Sequence, residues 1–335
     1  MKVFVSGVAG FLGSHLADVF LQQGRDVVGC DTLLGGDPEN IPKGVEFHQA
    51  DCCDPVAMRR ITRGAELVYH CAAVATEGLS VFSPAVVSQN TYQSTAGLLA
   101  GVIGNGMRRF VLCSSMARYG VGQVPFVETQ LPAPVDPYGV AKYASELLVA
   151  NLCQTHGVEY VIAVPHNIYG ARQKYDDPYR NVAGIMINRV LQDKPPVIYG
   201  DGTQTRAFSH VADCVDPLVK MGCLPGLSGE VFNIGPDEAE AVVTVRDLAA
   251  LILELMGASL EPLHVPARPR EVRSATCSAG KARARLGYGT TVPLRTGLAE
   301  TIAWMRRRGP RPFRYYLPVE IPSRLVPKTW TDHLL

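Results

Sequence analysis

The sequence predicts an α/β protein, a doubly wound parallel sheet with a smaller C-terminal substrate-binding lobe. Two observations carry that prediction. The chain opens with Lys2-Val3-Phe4-Val5-Ser6, apolar and β-branched enough for a buried parallel strand. It is followed by the glycine-rich turn Gly7-Val8-Ala9-Gly10-Phe11-Leu12-Gly13 and by apolar residues at helical spacing over Leu12 to Gln23. Strand and helix patterns then alternate as far as Pro165, the cadence of βαβ units that collect ligands at the carboxyl ends of their strands. Together these give a Rossmann-type sheet.

Strand, tight turn and helix in that order are the context a dinucleotide fingerprint requires. Glycine lets the backbone turn and approach a pyrophosphate, whose charge then sits at the helix N-terminus. The second strand, Asp26 to Cys30, ends at Asp31. A carboxylate there accepts from both ribose hydroxyls and repels a 2′-phosphate, which favours NAD over NADP. Val45 to Gln49 and Leu67 to His70 read as strands three and four, and Ser83 to Gly104 as a helix. Arg109 to Ser114 is strand five, Pro137 to His156 a helix, and Tyr160 to Val164 strand six. Gly7, Asp31, Asp51, Ala72, Ala73, Ser115 and Pro165 all fall at strand ends.

After Pro165 the cadence breaks, with helices expected near Val182 to Gln192 and Val245 to Met256. Phe208 to Leu224 and Glu230 to Ile234 are expected to return to the main sheet. The chain thus divides into an NAD-binding domain, 1–165 with 208–235 returning to it, and a nucleotide-sugar-binding lobe, 166–207 with 236–308. The proline-rich segment 309–335 is expected to lie on the surface as an irregular strap. A cleft between lobe and sheet is the expected small-molecule site.

Composition excludes several classes. An apolar fraction of 47% is ample for a core, yet no apolar run approaches the roughly eighteen residues of a membrane span. Met1-Lys2-Val3 leads straight into a strand without a signal-peptide pattern. A net charge of +1 with interspersed charges offers no basic stripe for nucleic acid. The nine cysteines are odd in number and several lie within apolar stretches, which suits a reducing cytoplasm. No Cys-x-x-Cys pair occurs and the histidines are scattered, so no metal site is expected.

The chemistry is carried by Tyr138 and Lys142, four residues apart on one helix face. A nearby cation favours phenolate over phenol, which makes a tyrosine usable as a proton acceptor. Ser114-Ser115 lies upstream of the pair.

This set resembles the extended short-chain dehydrogenase/reductase family, and within it the nucleotide-sugar 4-epimerases of the UDP-galactose 4-epimerase type. The matching motifs are the Gly-x-x-Gly-x-x-Gly turn, Asp31, His70-Cys71-Ala72-Ala73 and Ser114-Ser115-Met116-Ala117-Arg118-Tyr119-Gly120. Further on come Tyr138 with Lys142, Asn167-Ile168-Tyr169-Gly170 and Gly200-Asp201-Gly202-Thr203-Gln204-Thr205-Arg206. The resemblance covers about residues 1 to 305. It implies that Gly7, Gly10 and Gly13, with Phe11 and Leu12, hold the NAD pyrophosphate. Asp31 would take the adenosine ribose, and Asp51 with Cys52 would meet adenine. Ala72 and Ala73 would leave room for the cofactor, Asn90 would help position the catalytic loop, and Pro165 would lie against nicotinamide. On the substrate side it implies Met116, Asn167, Tyr199, Arg206, Arg268 and Glu271 around a nucleotide diphosphate sugar. Ser115, Tyr138 and Lys142 are implied as the catalytic set, with Tyr138 taking a sugar hydroxyl proton and NAD accepting and returning the carbon-bound hydrogen. The family also implies a homodimer paired through the Ser83 to Gly104 and Pro137 to His156 helices.

Departures narrow the alternatives. Nucleotide-sugar 4,6-dehydratases are similar but carry an Asp-Glu acid/base pair where this chain has Met116 and Ala117, and 3,5-epimerases use a cysteine near Ala117. A dehydrogenase or reductase of the same family and a non-enzymatic NAD-binding scaffold are the other rivals. Ala207 and Val164 replace an aspartate and an arginine frequent in the family, and Thr76-Glu77-Gly78-Leu79-Ser80 is not its usual sugar-facing loop. Lys174 falls where uronic-acid epimerases carry a cation, which raises UDP-glucuronate as an alternative substrate.

Overall fold

The computed structural model describes residues 1–238 and 241–335. Positions 239 and 240, inside the second segment expected for the lobe, lie outside the described residues. Seven strands form one sheet: β1 (Lys2–Ser6), β2 (Asp26–Asp31), β3 (Glu46–Gln49), β4 (Leu67–His70), β5 (Arg109–Cys113), β6 (Glu159–Pro165) and β7 (Glu230–Ile234). All pairings are parallel and the order is β7-β6-β5-β4-β1-β2-β3. The chain runs outward from β1 to β3, then returns to β4 on the other side of β1. That reversal opens a crevice at the carboxyl ends of β1 and β4, where doubly wound sheets bind ligands.

Period-two alternation builds a core on each face. Val3, Val5, Val161 and Ala163 pack with Leu16 and Phe20 of helix Phe11–Gln22 and Leu218 of helix Val211–Cys223. Phe4, Phe110, Ile162 and Val164 pack on the opposite face with Met58, Leu98 and Val149 of helices Pro55–Ile61, Ser94–Val102 and Pro137–Thr155. The last of these starts where it does because Asp136 accepts the Gly139 N–H at 2.8 Å and Pro137 stands at its first position.

The structure departs from the sequence expectation in two places, the Ser83 to Gly104 helix and the C-terminal strap. Ser83 to Gly104 is not one regular helix: Pro84–Ser88 and Ser94–Val102 are joined by a π turn, Gln89–Gln93, and followed by a 3₁₀ turn, Ile103–Asn105. Apolar periodicity does not distinguish a π turn, which only widens the coil by one residue. Segment 208–224 returns to the main sheet as a covering helix. Ser209–His210 pairs with Ile168–Tyr169 in a separate two-stranded sheet, helix Val211–Cys223 covers the main sheet, and only β7 extends it. The second departure is that the C-terminal strap is not a surface decoration. Leu317, Val326 and Trp330 are buried together with Tyr138 and Tyr179. The Trp330 indole N–H donates to the Pro178 carbonyl at 3.2 Å, and the Glu320 carboxylate accepts the Ala85 and Val86 N–H groups at 2.8 and 2.9 Å. The strap therefore ties the start of helix Pro84–Ser88 to the lobe.

A further core forms around Tyr169, Met186, Ile187, Leu248, Ile252 and Leu298, from helices Val182–Leu191, Val245–Met256 and Leu294–Arg308. All nine cysteines are unpaired. Among the described residues no helix is long and apolar enough to cross a membrane, and no cluster of His, Cys, Asp and Glu could hold a metal.

Candidate functional site

A cavity of about 470 Å³ runs along the carboxyl ends of β1, β2, β4, β5 and β6 and continues toward the lobe. At one end the opening turn shapes its floor. Gly7 adopts φ +70°, and a Cβ there would lie 2.9 Å from the Ala72 nitrogen. A Cβ on Gly13 would lie 2.3 Å from the Gly7 carbonyl oxygen. Side chains at these positions would collide with backbone, so only glycine lets the turn close this tightly and bring its backbone to the cavity, as a pyrophosphate requires. Gly10, Phe11 and Leu12 line the same wall.

Asp31 hangs at the end of β2, its carboxylate accepting the Leu33 N–H at 2.8 Å and the Ala9 N–H at 3.2 Å. Burial raises its pKa while those two hydrogen bonds oppose the rise. Two N–H donors leave acceptor sites on both oxygens, which is what a ribose diol requires. Asp51 and Cys52 line the far end of the cavity, and the Asp51 carboxylate is occupied in part by the Cys53 N–H at 2.8 Å. Ala72, Ala73 and Pro165 line the cavity, as does Asn90, carried by the π turn with its amide donating to the Val86 carbonyl at 2.8 Å.

Tyr138 and Lys142 are 5% and 4% exposed, so both functional heads are sealed from bulk water except through the cavity. Ser115, just past the end of β5, stands beside the Tyr138 phenol and acts to lower its pKa. The net shift is nonetheless upward, because burial dominates and the charges of Glu77 and Asp136 add to it. Lys142 donates to the Cys113 carbonyl at 2.7 Å, with its nitrogen 5.9 Å from the Tyr138 ring centroid. Burial lowers its own pKa. The ammonium thus neighbours the phenol but is tied to the backbone, and in the protein alone Tyr138 is a neutral phenol.

Toward the lobe, Asn167 takes φ +40° and donates to the Ala207 carbonyl at 3.2 Å and to the Met116 sulfur at 3.5 Å. Arg268 stacks 4.7 Å over the Tyr199 ring and pairs with Glu271 at 2.8 Å. Burial pulls the Arg268 pKa down, but the charge and hydrogen bond of Glu271 outweigh it. Arg206 is anchored by the Thr205 and Val272 carbonyls at 2.8 and 2.7 Å, leaving guanidinium donors for the cavity. Two fixed arginines suit a diphosphate. Lys174 lines the cavity, but its nitrogen pairs with Asp176 at 3.2 Å and lies 5.5 Å from the Tyr316 ring centroid.

Several site residues escaped the sequence reading. Glu77 faces the cavity, where burial first and Asp136 next push its carboxyl up to about 7. Glu146 is buried beneath the catalytic residues, hydrogen-bonded by the Ser114 hydroxyl and paired with Arg118 at 3.2 Å. Its place eight residues after Tyr138 and four after Lys142, on the same helix face, was a readable signal. Arg180 pairs with Asp177 at 2.6 Å and donates to Tyr316 at 2.8 Å. Its partner lies in the strap, and nothing in local spacing announced it.

The profile of the NAD dependent epimerase/dehydratase family matches residues 3–235. The chain belongs to that family. NAD is accordingly its cofactor, and the glycine cradle with Asp31 fits the group. Within the family it is an extended short-chain dehydrogenase/reductase of the nucleotide-sugar epimerase group. It is similar to UDP-glucose 4-epimerase of Streptomyces lividans, at 31% identity over 89% of this chain and 93% of that one. Among solved structures it is similar to UDP-glucose 4-epimerase of Thermotoga maritima with UDP-glucose, with a TM-score of 0.86 and 31% identity over 92% of this chain and 99% of that one. It is similar also to UDP-glucuronic acid 4-epimerase of Bacillus cereus with UDP-glucuronic acid and NAD, with a TM-score of 0.85 and 29% identity over 92% and 100% of the two chains.

Proposed function

We propose that the protein is an NAD-dependent 4-epimerase of a UDP-linked hexose. The observation that carries this reading is one cavity containing a dinucleotide cradle, the Ser115–Tyr138–Lys142 set and two anchored arginines. Bound NAD supplies a two-electron acceptor that can also give the electrons back. The residues do the rest. Tyr138, once deprotonated, takes the proton of the sugar 4-hydroxyl, and Ser115 hydrogen-bonds the same oxygen. Ser115 and Arg180 act to lower the phenol's pKa, and Lys142, buried one helical turn on, would favour the phenolate by its charge.

Inversion requires the 4-keto sugar to turn and accept hydrogen on its other face. Arg206 and Arg268 would hold the diphosphate through that turn, so remote binding energy retains the intermediate. Met116 and Ala117 carry no proton-transfer group where the 4,6-dehydratases keep their Asp-Glu pair, which argues against water elimination. Lys174 is engaged by Asp176, which weakens the uronic-acid alternative.

Helix Pro137–Thr155 exposes Val140 (52%) and Leu147 (56%) seven residues apart on one face, and Tyr92 is exposed on the π turn. These residues support a homodimer through that face, and sedimentation of parent and Leu147→Glu tests it, with the variant expected as monomer.

The activity test incubates purified protein with UDP-glucose and UDP-galactose without added NAD, followed by NMR and mass spectrometry. The reading expects a product of equal mass with inverted C4. Loss of water, or accumulation of NADH with oxidised sugar, contradicts it.

A further inference from the structure

Glu77 is an acidic side chain of the cavity's middle section that the proposed chemistry does not use. It opens the short helix Glu77–Ser80, and its neighbours fix where it stands. On one side, the Ser80 hydroxyl donates to Asp136, the cap of the helix bearing Tyr138, at 3.4 Å. On the other, a Cβ on Gly78 would lie 3.4 Å from the Arg268 guanidinium. Glu77 is therefore held between the proton acceptor and the diphosphate arginines, the stretch of cavity a hexose must occupy. Among the described residues its carboxylate has no ion pair and no hydrogen bond of its own, so its acceptor sites are left for a ligand. Two further cations of the lining are already matched, Lys174 by Asp176 and Arg180 by Asp177.

We propose that Glu77 is a specificity-determining residue that reserves the sugar position for neutral or amino hexoses and turns away uronic acids. The inference rests on the reading of the cavity as a nucleotide-hexose site. A neutral hexose offers hydroxyl donors to the carboxylate, and an amino sugar an ammonium. With Arg206 and Arg268 taken up by the diphosphate, a uronic acid brings a further carboxylate beside Glu77 and Asp136, which no cation pairs among the described residues. Two like charges about 6 Å apart at an effective dielectric near 20 repel by a factor on the order of tenfold to a hundredfold in affinity.

The test measures Kd of UDP-glucose and of UDP-glucuronate for the NAD-loaded protein by calorimetry, in the parent and in Glu77→Gln. Well above the Glu77 pKa, at about pH 8.5, the parent should prefer UDP-glucose by about tenfold or more, and the variant should lose most of that preference. Preference in the parent should also rise with pH as the Glu77 carboxyl, pushed up to about 7, ionises. The other groups facing it are Asp136 and Tyr138 at the start of helix Pro137–Thr155, Arg206 on strand Thr205–Ala207, and Arg268 and Glu271 in the loop before strand Ser274–Ala275. They are present in both proteins, so the difference between the two pH profiles isolates Glu77. Glu77→Ala should shift the preference in the same direction and serves if the amide variant is poorly folded. An unchanged preference in both variants overturns the role of Glu77. Failure of the parent to bind either sugar overturns the nucleotide-hexose reading itself, and the inference with it.

Discussion

Replacing Gly13 by alanine tests whether the opening turn is the cofactor cradle. The added Cβ would stand 2.3 Å from the Gly7 carbonyl oxygen and 2.9 Å from its carbon, where ordinary contact begins at 3.4 Å. The turn must therefore open by about 1 Å. It has little room to retreat, because Gly7 itself approaches the Ala72 backbone so closely that its own Cβ would be 2.9 Å from that nitrogen. Overpacking of this kind costs about 1–3 kcal/mol. If the displaced peptide is the one that meets the pyrophosphate, NAD affinity falls by about fivefold to 150-fold. Calorimetric titration of NAD into protein stripped of cofactor reads this directly. Gly24→Ala is the control: it has φ +68° and nothing within 4 Å, so it should lower Tm through backbone strain and leave NAD affinity alone. Equal NAD affinity in Gly13→Ala and the parent would refute the reasoning.

Three more outcomes are expected. Asp31→Asn removes the charge that repels a 2′-phosphate, so the ratio of NADP to NAD affinity should rise, as competitive titration would show. The Glu77 carboxyl is raised in the folded state from 4.5 to about 7, so its stabilising contribution is present below about 4.5 and lost as pH rises through about 7. The Tm of Glu77→Gln relative to the parent should accordingly be higher at pH 8 than at pH 4. Trp330→Ala empties a site that is 2% exposed and should cost about 3–5 kcal/mol in denaturant unfolding, against little effect if the strap were a surface feature.

What the sequence made legible is what short-range pattern encodes. β1, the glycine turn and the following helix lie within the first 22 residues, and each is set by local alternation, turn geometry or helical spacing. Tyr138 and Lys142 were readable for the same reason, since one helix carries both. Sites assembled from distant segments were less so. The carboxyl of Glu77 gains its character from burial first and then from Asp136, Arg206, Arg268 and Glu271, none of which is near it in sequence. Arg180 depends on Tyr316, and the strap is held by Phe82, Ser83, Pro178 and Tyr199, contacts that only the folded chain reveals. The tie of Lys142 to the Cys113 carbonyl belongs to this class: spacing brings ammonium and phenol to one face, but the backbone of β5 decides where the ammonium rests.

The most direct measurement is the rate of C4 inversion of UDP-glucose by Tyr138→Phe, followed by NMR alongside NAD content. The account predicts a loss on the order of a hundredfold to ten-thousandfold with NAD still bound, because the substitution removes only the oxygen that moves the proton. Inversion at the parent rate in a variant that retains NAD would contradict it.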